Sequence, residues 1–346
     1  MSLDDIKFVY WFTYYNLESP SIRYRGYYPL IYFKEKKGVG FYFVIPGYTF
    51  SRIYTFLKAY FSALLFRKDN SIIVVQRVRS NFIYSVLLKF LLIVQSKNTV
   101  YDLDDADYLE YPAKQIYSLV KRTQFVSGGS SKICDHLQLG NTKSYHLTSP
   151  IVDLGIHKEV RNDLFVVGWI GGFHWGHKKS LQEQCFPALK ELNFDVKLTL
   201  IGVEKIADQK FVADYFKSST HIHLDVVKDI NWENEEMIQN YIKEFDCGIA
   251  TLYNTEIQKS KSGFKAKQYM NNGVPVISSN LPENNSVVKH LENGFLCEDV
   301  NDFLRDITLL SQMNDDEYWK MSRNARASIV EFNHEYYWKK LQVFNT

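Results

Sequence analysis

The chain has 346 residues, 46% of them apolar and 23% charged, with no low-complexity tract. This excludes a disordered or fibrous protein and gives length for about two domains. The net charge of +2 hides an asymmetry, because residues 1–150 hold 19 Lys+Arg against 11 Asp+Glu and the remainder holds 22 against 28. A basic first half points to an anionic surface or ligand, such as a membrane face or a phosphorylated lipid. No nucleic-acid recognition motif accompanies it, so nucleic acid is not expected as a partner.

Cys134, Cys185, Cys247 and Cys297 lack paired spacing and read as reduced, buried thiols of a cytosolic protein. The charged start, MSLDDIKF, is read as no signal peptide. Phe82 to Val94, the most apolar tract, is broken by Lys89 and is shorter than the about 20 residues that cross a bilayer. A soluble protein with at most peripheral attachment is expected. The 16% aromatic content can mean sugar-stacking or membrane-interface surfaces, and a large aromatic core is the preferred reading.

Short β-branched runs alternate with helical segments along the first half. Strands are predicted at Ile6–Phe12, Val39–Ile45, Ser71–Val78, Asn98–Leu103, Gln124–Val126 and Ser144–Leu147. Helices are predicted at Ile22–Lys36, Tyr48–Phe66, Asn81–Gln95, Ala113–Lys121 and Ser130–Leu137. The pattern means βαβ units around a parallel sheet, whose ligands bind at the carboxyl ends of the strands.

Two loops at those ends carry chemistry. After the first strand, Arg23 and Arg25 lie beside Ser19 and Ser21 and could hold a phosphate; a solvated first helical turn is the alternative. After the fourth, Asp102, Asp104, Asp105 and Asp107 crowd into six residues. Such crowding repels itself unless something cationic or hydroxyl-rich sits there. Carboxylates that grip sugar hydroxyls, a metal site, or an Asp capping the next helix are the readings. The glycine and distal Glu of a calcium loop are absent.

Ser149 to Asp163 reads as a linker. A second alternating series follows, with strands at Phe165–Ile170, Leu198–Gly202, His221–Leu224, Cys247–Leu252, Val274–Ile277 and Gly294–Cys297. Its helices are expected around Ser180–Leu192, Ala207–Lys217, Trp232–Phe245 and Lys261–Asn271, and Asp315 to Phe344 reads as a helical tail crossing back to the first domain. Gly171 and Gly172 end the first strand of this series and let backbone approach a ligand closely, without the GxGxxG fingerprint of dinucleotide binding. His174 and His177 lack a third metal ligand, and Lys178 or Lys179 could reach a diphosphate.

The stretch KSKSGFKAKQYMNNGVPVISS, Lys259 to Ser279, reads as loop, helix, turn and strand, with Ser260, Ser262 and Gly263 favouring a non-helical, capping entry and nothing to break a helix from Phe264 to Asn271. Lys259, Lys261 and Lys265 crowd the helix N-terminus, where cations cost a bare helix a few tenths of a kcal/mol each. A bound phosphate would reverse that penalty by using both the N–H groups and the lysines. A solvated lysine-rich turn is the alternative.

Taken together, SPSIRYRGYYPL, IIVVQRV, YDLDDADYL, VGWIGG, FDCGIATL with the lysine-rich stretch, and NGFLCED resemble the GT-B glycosyltransferases, nearest the retaining family 4 group. The resemblance implies two Rossmann-like doubly wound α/β domains facing each other across a cleft. These are an acceptor-binding domain at residues 1–150, completed by a helix at about 328–346, and a sugar-nucleotide-binding domain at 151–327. It implies transfer of a sugar from a nucleoside-diphosphate sugar to a hydroxyl of a glycan or lipid-linked acceptor in surface polysaccharide or glycoconjugate synthesis. The outcome would be retention, with neither metal nor other cofactor. The place would be the cytoplasm, including the inner face of an anionic cytoplasmic membrane.

By the same resemblance, Gly171, Gly172, Lys178, Lys179, Lys261, Gly263, Phe264 and Lys265 would hold the diphosphate. Gln268 would bind the ribose, where most members carry the second Glu of a Glu-x7-Glu pattern. Ser260 stands where the first would be. Asp104, Asp105 and Lys265 would be catalytic, the carboxylates facing the sugar or orienting the acceptor hydroxyl, and Arg23 and Arg25 would contact phosphate or acceptor. The competing readings are an inactive sugar-nucleotide- or partner-binding module, which the missing Glu favours, and a sugar-nucleotide epimerase.

Overall fold

The computed structural model describes residues 5–79, 82–140 and 142–345. The first four residues read for a leader, the predicted helix start at Asn81 and the terminal Thr346 lie outside them. The chain forms two compact units, one of Met1–Val152, Ser260–Ser262 and Phe332–Thr346, the other of Asp153–Lys259 and Gly263–Glu331.

The first unit is built on six parallel strands: β1 (Phe8–Thr13), β2 (Gly40–Val44), β3 (Ser71–Gln76), β4 (Thr99–Leu103), β5 (Phe125–Gly128) and β6 (Lys143–His146), in the order β2-β1-β3-β4-β5-β6. Phe8 aligns with Gly40 on one side and Ser71 on the other. Every residue of β3 is buried, as a central strand covered on both faces requires. Its crossover helices are α1 (Tyr28–Lys37), α2 (Phe50–Leu65), α3 (Phe82–Val94), α4 (Lys114–Val120) and α5 (Ser131–Leu137). The strand order reverses once, so right-handed crossovers put α1 on one face and α2 to α5 on the other. Alternate residues of β1 serve the two cores: Val9 and Trp11 pack with Phe33, whereas Tyr10 and Phe12 pack with Ala59 and Leu88.

The first crossover differs from expectation. Helix begins at Pro20, passes through a π-helical turn at Arg23–Tyr27 and continues into α1. In this arrangement both arginines are buried rather than solvated.

The second unit has β7 (Val166–Ile170), β8 (Val196–Ile201), β9 (Ile222–Val227), β10 (Cys247–Ala250), β11 (Val276–Ser279) and β12 (Gly294–Cys297), all parallel, in the order β12-β11-β10-β7-β8-β9. Its helices include α6 (Trp175–Ser180), α7 (Ile206–Phe216), α8 (Glu235–Ile242), α9 (Phe264–Asn271), α10 (Val300–Gln312) and α11 (Asp315–Ser328). The sequence reading missed α10, which Asp299 caps by accepting from the Asp302 N–H.

The tail is not one helix. α11 ends near Ser328, a 3-10 turn spans Val330–Phe332, and Asn333 caps a separate α12 (His334–Leu341). α12 packs within the first unit, with the Phe33 and Trp338 rings 4.7 Å apart and Tyr32 donating to Glu335 at 2.7 Å. All four cysteines are buried and free. Among the described residues no helix is long and apolar enough to cross a membrane.

Candidate functional site

In the second unit the chemistry gathers at the carboxyl end of β7. The buried Tyr269 hydroxyl accepts from the Ile170 N–H at 3.1 Å and donates to the Ile249 carbonyl at 3.1 Å, fixing α9 against β7 and β10. Gly171 follows β7 with φ +151, and its N–H bonds the Ile201 carbonyl. A Cβ on Gly171 would lie 2.8 Å from Lys265 Nζ, so the bare backbone and the ammonium share one small space. Lys265 Nζ is 3.2 Å from His177 Nε2 and 5.6 Å from the centre of the Trp169 ring. An ammonium only donates, so a charged Lys265 makes His177 Nε2 the acceptor and places the imidazole proton on Nδ1.

α9 starts at Phe264, the narrower of the two starts read from the sequence, because Gly263, at φ +61, occupies the N-cap. A side chain there would meet the Glu283 carbonyl oxygen at 2.7 Å, so the turn requires glycine. The first N–H groups of α9 have no intrahelical partners, and their dipole adds to the positive charge of Lys265. Gly172 is exposed beside Gly171, and Gln268 is half-buried on α9.

The other lysines are placed differently. Lys178 and Lys179 lie near the start of a continuous helix, as expected, because α6 runs through a π turn at Leu181–Cys185 and on to Lys190. Lys178 pairs with Asp208 at 2.8 Å and lies 4.0 Å over the Phe211 ring. Lys179 lies over the Tyr253 ring at 4.6 Å and near Glu183 at 3.8 Å. Ser260 is fully buried, and Glu256 pairs with Lys259 at 3.4 Å. A buried polar group that the sequence did not reveal supports the loop after β10. There the Ser279 hydroxyl donates to Gln184 at 2.8 Å and accepts from the Leu252 N–H, while Gln258 bonds the Gly176 carbonyl at 3.3 Å.

In the first unit the four crowded aspartates meet arginines. Arg25 forms a two-pronged pair with Asp102, at 2.9 and 2.5 Å, and also donates to the Leu147 carbonyl and the Ser127 hydroxyl. It has no exposed surface, so it braces the sheet instead of offering itself to a ligand. Arg23, also buried, donates to the Leu17 and Glu18 carbonyls. Arg77 binds Asp107 at 2.6 Å, Asp105 at 3.0 Å and Asp104 at 3.3 Å, and donates to the Ser21 hydroxyl at 2.8 Å. Its φ of +54 is a strained backbone for a bulky residue. Lys261, expected at the diphosphate, pairs with Asp105 at 2.6 Å.

No aspartate caps the helical turn Asp107–Glu110. The cations Arg25, Arg77 and Lys261 supply what the crowding demanded. Beside them Arg79 stacks 3.3 Å over the Tyr111 ring and lies 5.2 Å from that of Tyr15. Arg77, Arg79, Tyr15 and Tyr111 were not singled out from the sequence, although the bases just after the buried run of β3 were its signal.

Proton affinities in this cluster diverge. Burial raises the Asp104 carboxyl above the usual range, a push that Arg77 only partly opposes. Asp105 resists the same burial penalty because Lys261 and Arg77 hold it, and it falls well below that range. Adjacent carboxyls driven apart are the arrangement from which acid–base roles arise. Among the described residues no cluster of three His, Cys, Asp or Glu could hold a metal ion; the His174 and His177 rings lie 4.6 Å apart as a pair.

Residues 165–312 match the family model described as glycosyl transferases group 1. The second unit carries a group 1 glycosyltransferase domain. No curated protein matches the chain by sequence. Solved structures do. Anabaena HepE in complex with UDP-glucose is 14% identical, with 96% of this chain and 98% of that one covered at a TM-score of 0.65. Sucrose-phosphate synthase from Thermosynechococcus elongatus is 12% identical over 96% and 97%, at 0.67. The lipopolysaccharide outer core galactosyltransferase WaaB is 14% identical over 97% and 99%, at 0.63. At such identities the likeness establishes the fold, GT-B with two Rossmann-like units, and the family match places a group 1 glycosyltransferase domain at residues 165–312.

Proposed function

We propose that this glycosyltransferase moves a sugar from a nucleoside-diphosphate sugar to a hydroxyl of a glycan or lipid-linked acceptor, with retention and without a metal. The setting is surface polysaccharide or glycoconjugate synthesis, in the cytoplasm against the inner face of an anionic membrane. The observation that carries the reading is Lys265 packed against Gly171 at the carboxyl end of β7, beside the N-terminus of α9. The leaving diphosphate gathers negative charge in the transition state, and an ammonium with aligned N–H groups stabilises it where it forms. Gly171 and Gly172 admit the phosphate to the backbone, Phe264 and Gly263 open the helix, and Gln268 takes the ribose. Because HepE was solved with UDP-glucose, uridine diphosphate sugars are the first donors to try.

The acceptor falls to the first unit. Asp104, with its raised proton affinity, orients the acceptor hydroxyl and takes its proton, while Asp105 stays ionised between Lys261 and Arg77. Arg79 and the Tyr15 and Tyr111 rings offer an apolar and cationic face to a sugar and its phosphate. A second reading, an inactive donor-binding module, draws on Ser260, which is buried without a carboxylate.

The test is UDP release from a panel of UDP-sugars, with and without chelator and with membrane extract as acceptor source. Acceptor-dependent release that survives chelation supports the proposal. Binding without release supports the inactive module, and an epimerised donor without acceptor would identify an epimerase.

A further inference from the structure

More than half of the large apolar side chains exposed among the described residues lie between positions 48 and 94. On α2, Phe50, Tyr54, Leu57, Phe61 and Leu65 recur at helical spacing along the solvent face, while Ala59, Tyr60 and Ala63 face the core. On α3, Ile83, Val86, Phe90 and Ile93 do the same. The helices lie side by side, joined by Tyr60 donating to the Leu87 carbonyl at 3.2 Å and Gln95 to the Leu64 carbonyl at 3.0 Å. Both are crossovers on the same side of the sheet, so the two stripes form one apolar face, far larger than scattered surface leucines would give.

The charges on that face have one sign. Arg52, Lys58 and Lys89 stand on the helices, with no Asp or Glu on either. Between 48 and 98 the sole acid is Asp69. Burial, with Arg122 and Lys114, lowers the proton affinity of Lys89, as a locally positive field would. A second copy docked symmetrically would set these cations against each other. Neither helix can cross a bilayer, but a helix with one apolar face and only basic charges suits the interface plane.

We propose that the α2–α3 face docks the protein on an anionic bilayer, with both helices lying in the interface. The proposal deepens the membrane-surface part of the proposed function and is independent of the donor site. The orientation follows from topology. In a parallel sheet the crossover helices begin at the carboxyl edge of the strands, the edge that carries Arg77, Asp104 and Asp105. The two most exposed side chains of this region, Tyr48 at 91% and Phe50 at 86%, stand at that end of α2, as Ile83 at 71% does on α3, while Phe66 at 74% marks the far end of α2. A lipid-linked acceptor held by its head group at this edge would leave its tail beside the bilayer.

The test is flotation of the full chain with vesicles of phosphatidylglycerol and phosphatidylcholine, against phosphatidylcholine alone. Binding should require the anionic lipid and weaken with salt. It should fall about fivefold for each charge removed in Arg52→Gln and Lys58→Gln, and about tenfold for each ring removed in Phe50→Ser, Phe61→Ser and Phe90→Ser. These side chains are exposed, so the circular dichroism and UDP binding of the variants should match the parent. If the triple variant does not fold, the charge variants carry the test alone. No flotation of the folded parent, equal binding to neutral vesicles, or binding unchanged in the variants would each overturn the proposal. So would a concentration-dependent dimer lost in the triple variant without vesicle binding, which would make the face a contact between copies. Loss of UDP binding with flotation intact would instead count against the donor site alone.

Discussion

Replacing Lys265 by alanine separates catalysis from folding. Its ammonium sits 3.2 Å from His177 Nε2, within the space a Cβ on Gly171 would invade. Set about 4 Å from a phosphate oxygen at an effective dielectric near 20, it would gain roughly 4 kcal/mol. The side chain is partly exposed, so solvent screening leaves about half of that, or roughly 30-fold in kcat/KM. The cost to folding should stay below about 1 kcal/mol, since the substitution removes a hydrogen bond to a neutral imidazole. Steady-state UDP release and a denaturant titration on the same preparations give both numbers. A fall in kcat/KM of less than about threefold in a folded variant would refute the phosphate role of Lys265.

Three further outcomes are expected. Asp102→Ala removes the two-pronged partner of the buried Arg25 guanidinium, leaving it the Ser127 hydroxyl, the Leu147 carbonyl and the more distant charge of Asp104, and should cost about 3–5 kcal/mol in urea unfolding; a loss under about 1 kcal/mol would contradict it. Gly171→Ala puts a methyl 2.8 Å from Lys265 Nζ at a φ of +151, so kcat/KM should fall about tenfold or more with a smaller change in melting temperature. His334 is held neutral by burial, its pKa pushed down from 6.5 to about 4. The unfolded ring takes a proton first as pH falls, so stability is full above pH 6.5 and declines towards pH 4. The decline should be about 2 kcal/mol once partial exposure is allowed for, and it should shrink in His334→Gln; an equal decline in the variant would exclude His334 as its source.

The two sheets were readable because fully buried parallel strands are short runs such as SIIVVQ and VVGWI, and little else in the chain looks like them. Helix starts were less so. The capping turn at Gly263 before α9 was legible, but the π turn at Arg23–Tyr27 turns inward two arginines that a regular amphipathic reading leaves outside. The aspartate cluster was legible as a problem of repulsion, but its solution lay in Arg77, 27 to 30 residues upstream of its carboxylates, and in Lys261, far down the chain. Sequence spacing carries no information about such pairs. The aromatic excess reads first as core and only second as an interface surface. Trp11, Tyr101 and Tyr269 are there, yet Phe50, Tyr54, Phe61 and Phe90 are not. Composition counts aromatic residues without saying which face of a helix they occupy.

Calorimetric titration of UDP into the metal-free chain, repeated with Lys265→Ala, addresses the donor site most directly. Binding in the presence of chelator, weakened at least tenfold by the substitution while the variant stays folded, is the predicted result. Absence of UDP binding by the folded parent, or equal affinity in the variant, would contradict a diphosphate held between Gly171, Lys265 and the N-terminus of α9.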